Sequence, residues 1–135
     1  IVKDGEGTTK FVEIRASGLD RNEDCLEVAY TVAHSPLVKT ALFASDANWG
    51  RILAAVGRSK VNGLAIENIN IYLNNLPIVT AGELDKQYTE EAGSVEMSKS
   101  EIVIHIAMGK SSSSESVWTT DLSYDYVKIN AEYRT

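Results

Sequence analysis

Residues 101–108 limit the possible folds of this chain more than any other stretch. Their side chains alternate strictly, with Ile102, Ile104, Ile106 and Met108 on one side and Val103, His105 and Ala107 on the other. A period of two residues predicts a β-strand. Because both of its faces are largely apolar, the strand is expected in the middle of a sheet. His105 is then predicted to be a hydrogen-bonded core histidine, not a catalytic one.

Apolar residues at helical spacing predict three helices around this strand. The first covers residues 21–34 and the second covers residues 48–56, where Gly57 is expected to end it. The third covers residues 89–97, with an acidic first turn that favours a helix. These segments supply the layer that a half-buried sheet needs.

Further strands are predicted on both sides of these helices. Residues 11–16 alternate, and residues 37–44 form a short apolar run after a proline, which favours a buried strand. Residues 66–73 and 76–81 are expected to pair as a hairpin. Asn74-Asn75 lies between them, and asparagine tolerates the positive φ that a tight turn requires.

The last eighteen residues, 118–135, are the densest block of strand formers, and they predict a strand that runs almost to the final residue. No repeat and no linker divides the chain. The sequence therefore predicts one α+β domain, with a mixed β-sheet and helices packed mainly on one face.

Charge and composition exclude several classes of function. The net charge of −6, from 13 basic and 19 acidic residues, argues against a nucleic-acid surface. No apolar run is long enough to cross a membrane, and no signal peptide is visible. The single cysteine, Cys25, fits a reducing compartment, so a cytoplasmic location is expected. Because the chain does not begin with Met, it is interpreted as a processed product or a piece of a larger protein.

Standard catalytic and metal-binding motifs are missing from the sequence, which has no CxxC, HExxH, GxSxG or phosphate-binding glycine loop. Neither a catalytic residue nor a metal ligand set is therefore predicted. Three polar stretches remain as candidate sites: residues 4–10, residues 46–51, and Asn130 together with the C-terminus.

Two of these stretches have a structural and a functional interpretation. Glu6 lies between two glycines, so it is either aimed at a ligand or part of an ordinary loop before a strand. Asn48 and Arg51 lie at a helix N-terminus that could receive an anion. Alternatively, they belong to a capped helix in which Trp49 packs in the core and Arg51 makes a structural ion pair.

Four separated blocks of the sequence together resemble one known family. They are GEGTTKFVEIR, SPLVKTALF, DANWGRILAAVG and DLSYDYVKINAEYRT. Through nearly its whole length, the chain is similar to the C-terminal part of the ornithine acetyltransferase family, also called the glutamate N-acetyltransferase or ArgJ family. Thr8 stands where alanine is usual in that family, and Ala47 stands where proline is usual.

The resemblance implies that residues 1–135 are the C-terminal region of the family's β chain. Members are made as a precursor that cuts itself before a threonine, which becomes the nucleophile of an α2β2 enzyme. That enzyme moves an acetyl group from N2-acetyl-L-ornithine to L-glutamate in a ping-pong cycle, and some members also use acetyl-CoA as donor. No cofactor is implied. The nucleophile belongs to the part upstream of Ile1, so this chain alone is expected to be inactive.

By the same resemblance, Glu6, Asn130 and Thr135 match the family's substrate-binding residues, and Asn48 and Arg51 lie near the site or at a subunit interface. The residue types suit amino-acid substrates, since a carboxylate pairs with an ammonium group and amide and hydroxyl groups form hydrogen bonds. The alternative is a stand-alone small-molecule-binding or protein-interaction domain without catalysis.

Overall fold

The structure of the chain is a computed structural model that describes residues 10–120. Its strands are β1 (Phe11–Ser17), β2 (Asn70–Leu73), β3 (Leu76–Thr80), β4 (Glu83–Leu84), β5 (Glu101–Ala107) and β6 (Ser114–Thr120). Its α-helices are α1 (Asn22–Ala33), α2 (Pro36–Phe43), α3 (Trp49–Arg58) and α4 (Glu90–Met97). A short 3-10 turn, Ile66–Asn68, precedes β2.

The six strands form one mixed sheet in the order β4-β3-β2-β5-β1-β6. β1 and β5 pair in parallel, and the other neighbouring strands pair antiparallel. β5 lies between β2 and β1, which confirms the central position expected from its two apolar faces.

One face of the sheet and the helices share a single hydrophobic core. Alternate residues of the central strands are fully or almost fully buried on that face: Val12, Ile14 and Ala16 of β1, Ile71 and Leu73 of β2, and Ile102, Ile104 and Ile106 of β5. They pack with the buried sides of the helices in one cluster. The predicted α+β domain, with a mixed sheet and helices mainly on one face, is confirmed.

The strand predicted over residues 37–44 is wrong, because this segment forms helix α2. Pro36 occupies the first helical position, where its missing N–H costs nothing. The Ser35 side chain caps the helix by accepting a hydrogen bond from the backbone N–H of Val38 at 3.3 Å. In so short an apolar run, strand and helix periods cannot be distinguished.

Helix α3 passes through Gly57, where the sequence predicted its end. Ser59 caps the helix instead, and its hydroxyl donates to the Val56 carbonyl at 2.6 Å. Gly57 is exposed, and a Cβ atom at this position would have no neighbour within 4 Å. Nothing in the packing therefore requires a glycine here.

The predicted hairpin between β2 and β3 is confirmed, but its first strand begins at Asn70 and not at residue 66, because Ile66–Asn68 form a 3-10 turn. Asn74 has a φ of 58°, the left-handed conformation expected of this turn. Its backbone N–H donates to the Val103 carbonyl at 2.7 Å, and its side-chain Oδ1 accepts from the Val103 N–H at 2.9 Å. The turn is thus fastened to the central strand β5.

Two glycines meet where β1 and β5 end. Gly18 follows β1 with a φ of +97°, and a Cβ atom there would collide with backbone atoms of Gly109. The chain segments are held together by backbone hydrogen bonds, from the Met108 N–H to the Ser17 carbonyl at 2.8 Å and from the Ser111 N–H to the Gly18 carbonyl at 3.2 Å. This close approach leaves no room for a side chain at position 18.

At the opposite end of the sheet, the two ends of the described region lie side by side. Phe11 opens β1 and is the register partner of Thr120, the last residue of β6. β6 begins at Ser114, earlier than the start predicted at Trp118. The chain therefore enters and leaves the described fold on neighbouring strands.

Candidate functional site

Asn48 is the N-terminal cap of α3. Its side-chain Oδ1 accepts a hydrogen bond from the backbone N–H of Arg51 at 3.1 Å, and its Nδ2 donates to Asp46 Oδ2 at 3.1 Å. An asparagine in this position satisfies a helix N–H that would otherwise have no intrahelical acceptor. The capped-helix interpretation of Asn48 agrees with this geometry.

Arg51 joins α3 to α2. Its Nη1 donates to the Leu37 carbonyl at 3.1 Å and to Thr40 Oγ1 at 3.3 Å. These are hydrogen bonds, whereas the structural interpretation of the sequence expected an ion pair. Trp49 is half-buried and packs against the hydrophobic core, as that interpretation expected. Asn48 and Arg51 thus hold the start of α3 in place, and a role near a substrate stays a prediction.

Replacing Asn48 with alanine is expected to lower the free energy of unfolding by about 1 kcal/mol, the usual cost of losing a helix cap. Asn48→Ser is the matched control, because its hydroxyl oxygen can accept the same N–H while, as in the alanine variant, the Nδ2 donor to Asp46 is removed and no charge is added. Urea denaturation of the full-length protein compares the two variants. Equal losses for both would contradict a capping role.

A hydrogen-bonded group of side chains lies on the face of the sheet opposite the helices. The Arg15 Nε donates to Glu13 Oε2 at 3.0 Å, and the Ser116 hydroxyl donates to the same oxygen at 2.7 Å. Burial raises the pKa of the Glu13 carboxyl, but the hydrogen bonds from Ser116 and Arg15 and the Arg15 charge outweigh it. The pKa therefore lies below its ordinary value and Glu13 is ionised at neutral pH.

His105 lies on this same face and not in the core, so that part of its prediction is wrong. The prediction that it is hydrogen-bonded is confirmed, since its Nε2 lies 2.7 Å from the Ser17 Oγ. The Tyr72 ring is nearby, with 5.8 Å between the ring centroids. Burial and the Arg15 charge lower the pKa of His105, while the Glu13 charge opposes them. The imidazole is therefore neutral at neutral pH.

Sequence patterns did not reveal this group of side chains. Arg15 and His105 are register partners on the parallel strands β1 and β5. Alternation indicates which residues of one strand share a face, but it does not say which residue of the neighbouring strand stands opposite. The polar positions of the two strands were the only available signal.

The predicted substrate-binding residues Glu6, Asn130 and Thr135 lie outside the described residues. Their roles stay predictions. Within residues 10–120, no group of three or more His, Cys, Asp or Glu side chains is placed to hold a metal ion. In the same stretch, no helix combines the length and apolar character needed to cross a membrane.

A family model, curated relatives and a solved structure all relate this chain to the ArgJ family. A model of the ArgJ family matches residues 1–135. The chain is 56% identical over its full length to the arginine biosynthesis bifunctional protein ArgJ of Pseudomonas fluorescens (strain Pf0-1), and 55% identical to the protein of the same name from Psychrobacter arcticus. It covers 33% of the length of each of these two relatives.

A solved structure has the same fold. It is the crystal structure of the arginine biosynthesis bifunctional protein ArgJ from Bacillus halodurans at 2.00 Å resolution, with a TM-score of 0.88 and 33% identity. The match covers 98% of this chain and 62% of that chain. With a family model matching every residue, relatives above one-half identity and a shared fold, the chain belongs to the ArgJ family and spans about a third of the length of its curated relatives.

Proposed function

We propose that this chain is the C-terminal region of the β chain of an acetyltransferase of arginine biosynthesis. The observation that supports this most strongly is the match of all 135 residues to proteins named for a bifunctional role in that pathway. The proposed enzyme moves acetyl from N2-acetyl-L-ornithine to L-glutamate and works in the cytoplasm. Its partners are an α chain and the remainder of the β chain, in an α2β2 assembly.

The proposed reaction proceeds in two acyl transfers. A threonine hydroxyl outside this chain attacks the acetyl carbonyl, the C–N bond breaks, and the ornithine amine leaves with a proton. The amine of glutamate then attacks the acyl-threonine ester, which releases N-acetylglutamate and restores the hydroxyl. Forming an ester intermediate divides one difficult transfer into two easier steps. Acetyl-CoA is proposed as an alternative donor for the first step.

In this proposal the present chain binds substrate. The Glu6 carboxylate pairs with the ammonium group of the amino acid, and Asn130 and Thr135 contribute amide and hydroxyl hydrogen bonds. Asn48 and Arg51 are proposed to lie near the site or at a subunit interface, where they hold the start of α3 rather than contact substrate.

Chain length is compatible with a shared site for the N-terminal and C-terminal residues. Phe11 and Thr120 are partners on adjacent strands. Glu6 precedes Phe11 by five positions and Asn130 follows Thr120 by ten. An extended chain spans at most about 3.5 Å per residue, so five residues reach at most about 18 Å and ten residues at most about 35 Å. These lengths allow the proposal that Glu6 and Asn130 contribute to one substrate site.

The test is acetyl transfer by the full-length protein that contains this chain. Purified protein is incubated with N2-acetyl-L-ornithine and L-glutamate, and N-acetylglutamate and ornithine are measured by mass spectrometry. Equal amounts of both products are expected, and a second reaction with acetyl-CoA shows whether that donor is used. A folded protein that forms neither product from acetylornithine would overturn the proposal.

A further inference from the structure

A surface turn between α3 and β2 contains the one Asn-Gly pair of the sequence. Asn62 and Gly63 lie in the connection of residues 59–65, between the end of α3 and the 3-10 turn that precedes β2. Both residues are exposed. Connections of this kind run over the surface and are more mobile than the elements that they join. The pair is therefore held less firmly than residues inside a helix or a strand.

The backbone nitrogen of Gly63 is unhindered. The residue has a φ of +81°, a left-handed conformation that suits glycine. Apart from its chain neighbours, no atom lies within 4 Å of the point where a Cβ atom would stand. Within residues 10–120, no hydrogen bond involves the Gly63 N–H or the Asn62 side-chain amide. Neither packing nor hydrogen bonding therefore keeps this nitrogen away from the side chain of Asn62.

The other described asparagines do not combine these features. Three of them accept a backbone N–H with the side-chain oxygen: Asn48, Asn70 and Asn74. Two precede a larger residue within a helix or a strand: Asn22 and Asn75. Asn68 is exposed but precedes Ile69, which is 2% exposed and whose N–H donates to the Ile66 carbonyl at 2.9 Å. Asn68 is therefore the best comparison within the chain.

An asparagine can react with the backbone nitrogen that follows it, and no enzyme is needed. The Gly63 nitrogen attacks the Asn62 Cγ and loses its proton, the bond from Cγ to Nδ2 breaks, and ammonia leaves with that proton. The five-membered succinimide ring that forms is then opened by one water molecule. Attack of water at Cγ gives aspartate, and attack at the backbone carbonyl carbon gives isoaspartate, whose main chain runs through Cβ and Cγ. A following glycine allows the fastest ring closure because it has no Cβ atom to obstruct the attack.

We propose that Asn62-Gly63 is a site of spontaneous deamidation, at which the folded protein converts position 62 to aspartate and isoaspartate. Water is the only co-reactant, and one ammonia is released for each amide lost. The change replaces a neutral side chain with a carboxylate. It takes the net charge of this chain from −6 to −7. This proposal rests on the local structure of the turn and does not depend on the proposed acetyl transfer.

The new carboxylate would add charge to a surface cavity of about 580 Å³ where β1 and β5 end. Asn62 lines this cavity together with two acidic residues, Asp20 and Asp24, and one basic residue, Lys110. Like charges that share a cavity repel each other, and salt weakens the repulsion. Deamidation thus makes this cavity more acidic as the protein ages.

The first experiment follows the reaction in the full-length protein at mildly alkaline pH. Samples taken over several weeks are digested at acid pH, where ring closure is slow, and are analysed by mass spectrometry. Asn62 is expected to gain about 1 Da, with isoaspartate as part of the product, and to react roughly ten-fold or more faster than Asn68. A rate at Asn68 equal to or above that at Asn62 would overturn the proposal, because the turn would then have no special role.

A synthetic peptide of residues 59–65 gives the rate of the same Asn-Gly pair without the fold. Because the turn is exposed and its amide groups are not hydrogen-bonded, the folded protein is expected to react within about ten-fold of the peptide rate. Greater protection in the folded protein would overturn the proposal, since the turn would then be shielded from the reaction.

The variant Gly63→Ala tests the chemistry of ring closure. Its methyl group hinders attack by the backbone nitrogen, and the rate at Asn62 is expected to fall about ten-fold or more. An unchanged rate would overturn the proposal, because ring closure would not be the route. Alanine is strained at a φ of +81°, so the melting temperature of the variant is measured first, and the wild-type rates above decide the proposal without it. None of these readouts requires enzymatic activity, so they remain decisive if the proposed acetyl transfer fails.

Discussion

Replacing Gly18 with alanine is expected to lower the free energy of unfolding of the full-length protein by about 3 kcal/mol, since both backbone strain and steric collision contribute. The φ of +97° is one that residues with a Cβ atom rarely adopt, and the added methyl group would collide with the backbone of Gly109. Backbone atoms cannot rotate out of the way as a side chain can. The ends of β1 and β5 would have to move apart. This movement would lengthen or break the hydrogen bond from the Ser111 N–H to the Gly18 carbonyl.

The chain supplies a matched control in Gly57→Ala. Gly57 lies within α3, is exposed, and has open space where the methyl group would stand. Alanine favours a helix over glycine by about 1 kcal/mol, so this variant is expected to be more stable than the wild type. Thermal and urea unfolding of both variants should therefore shift in opposite directions. A Gly18→Ala protein as stable as wild type would show that the two glycines are farther apart than described.

Removing residues 130–135 is expected to lower kcat/KM for acetyl transfer by about 100-fold or more, as misplaced substrate contacts commonly do. The reason is that the deletion takes away two of the three proposed substrate-binding residues, Asn130 and Thr135. The proposed nucleophile is a threonine outside this chain, which the deletion leaves unaltered. Initial rates at varied acetylornithine and glutamate, measured on the full-length protein with and without these residues, give the comparison.

Two controls separate substrate binding from folding. Glu91→Gln alters one charge on the exposed side of α4 and is expected to keep the wild-type rate. The melting temperature of the shortened protein shows whether it is still folded. A folded, shortened protein with the wild-type kcat/KM would contradict a binding role for Asn130 and Thr135, and the proposed site would then have to lie elsewhere.

Segments with a strong local pattern adopt the structure that their sequence predicts. β5 could be placed at the centre of the sheet because seven residues in strict alternation fix both its type and its burial. The hairpin turn at Asn74 was predictable for a similar reason, since asparagine is one of the few residue types that readily adopt that backbone conformation.

Helix α2 was mispredicted because its apolar residues fit either period. Its buried residues Val38, Ala41 and Leu42 have helical spacing, but an eight-residue segment is too short for this pattern to exclude a strand. The better signal was Ser35-Pro36, a cap followed by the residue favoured at the first helical position. The same pair also predicts the end of the preceding helix, and that interpretation hides the helix start.

In the candidate site, too, local contacts were predictable from the sequence and long-range contacts were not. Asn48 could be proposed as a cap because the interaction is local, from residue 48 to residue 51. The contact between Ser17 and His105 joins residues 88 positions apart, so it depends on the register of two strands that no local pattern sets. Residue patterns marked the stretches that contain Glu6, Asn130 and Thr135 as candidate sites, but their substrate-binding roles were assigned by resemblance to a family.

The pairing of Phe11 with Thr120 also determines how the domain responds to force. Because β1 and β6 are antiparallel, with Phe11 opposite Thr120, a pull applied at these two residues separates the two strands from that end. The hydrogen bonds between β1 and β6 then bear the force and break one after another, not all at once. The β1–β6 edge is therefore a mechanically soft part of the sheet. Any movement that draws Phe11 and Thr120 apart would strain this strand pair first.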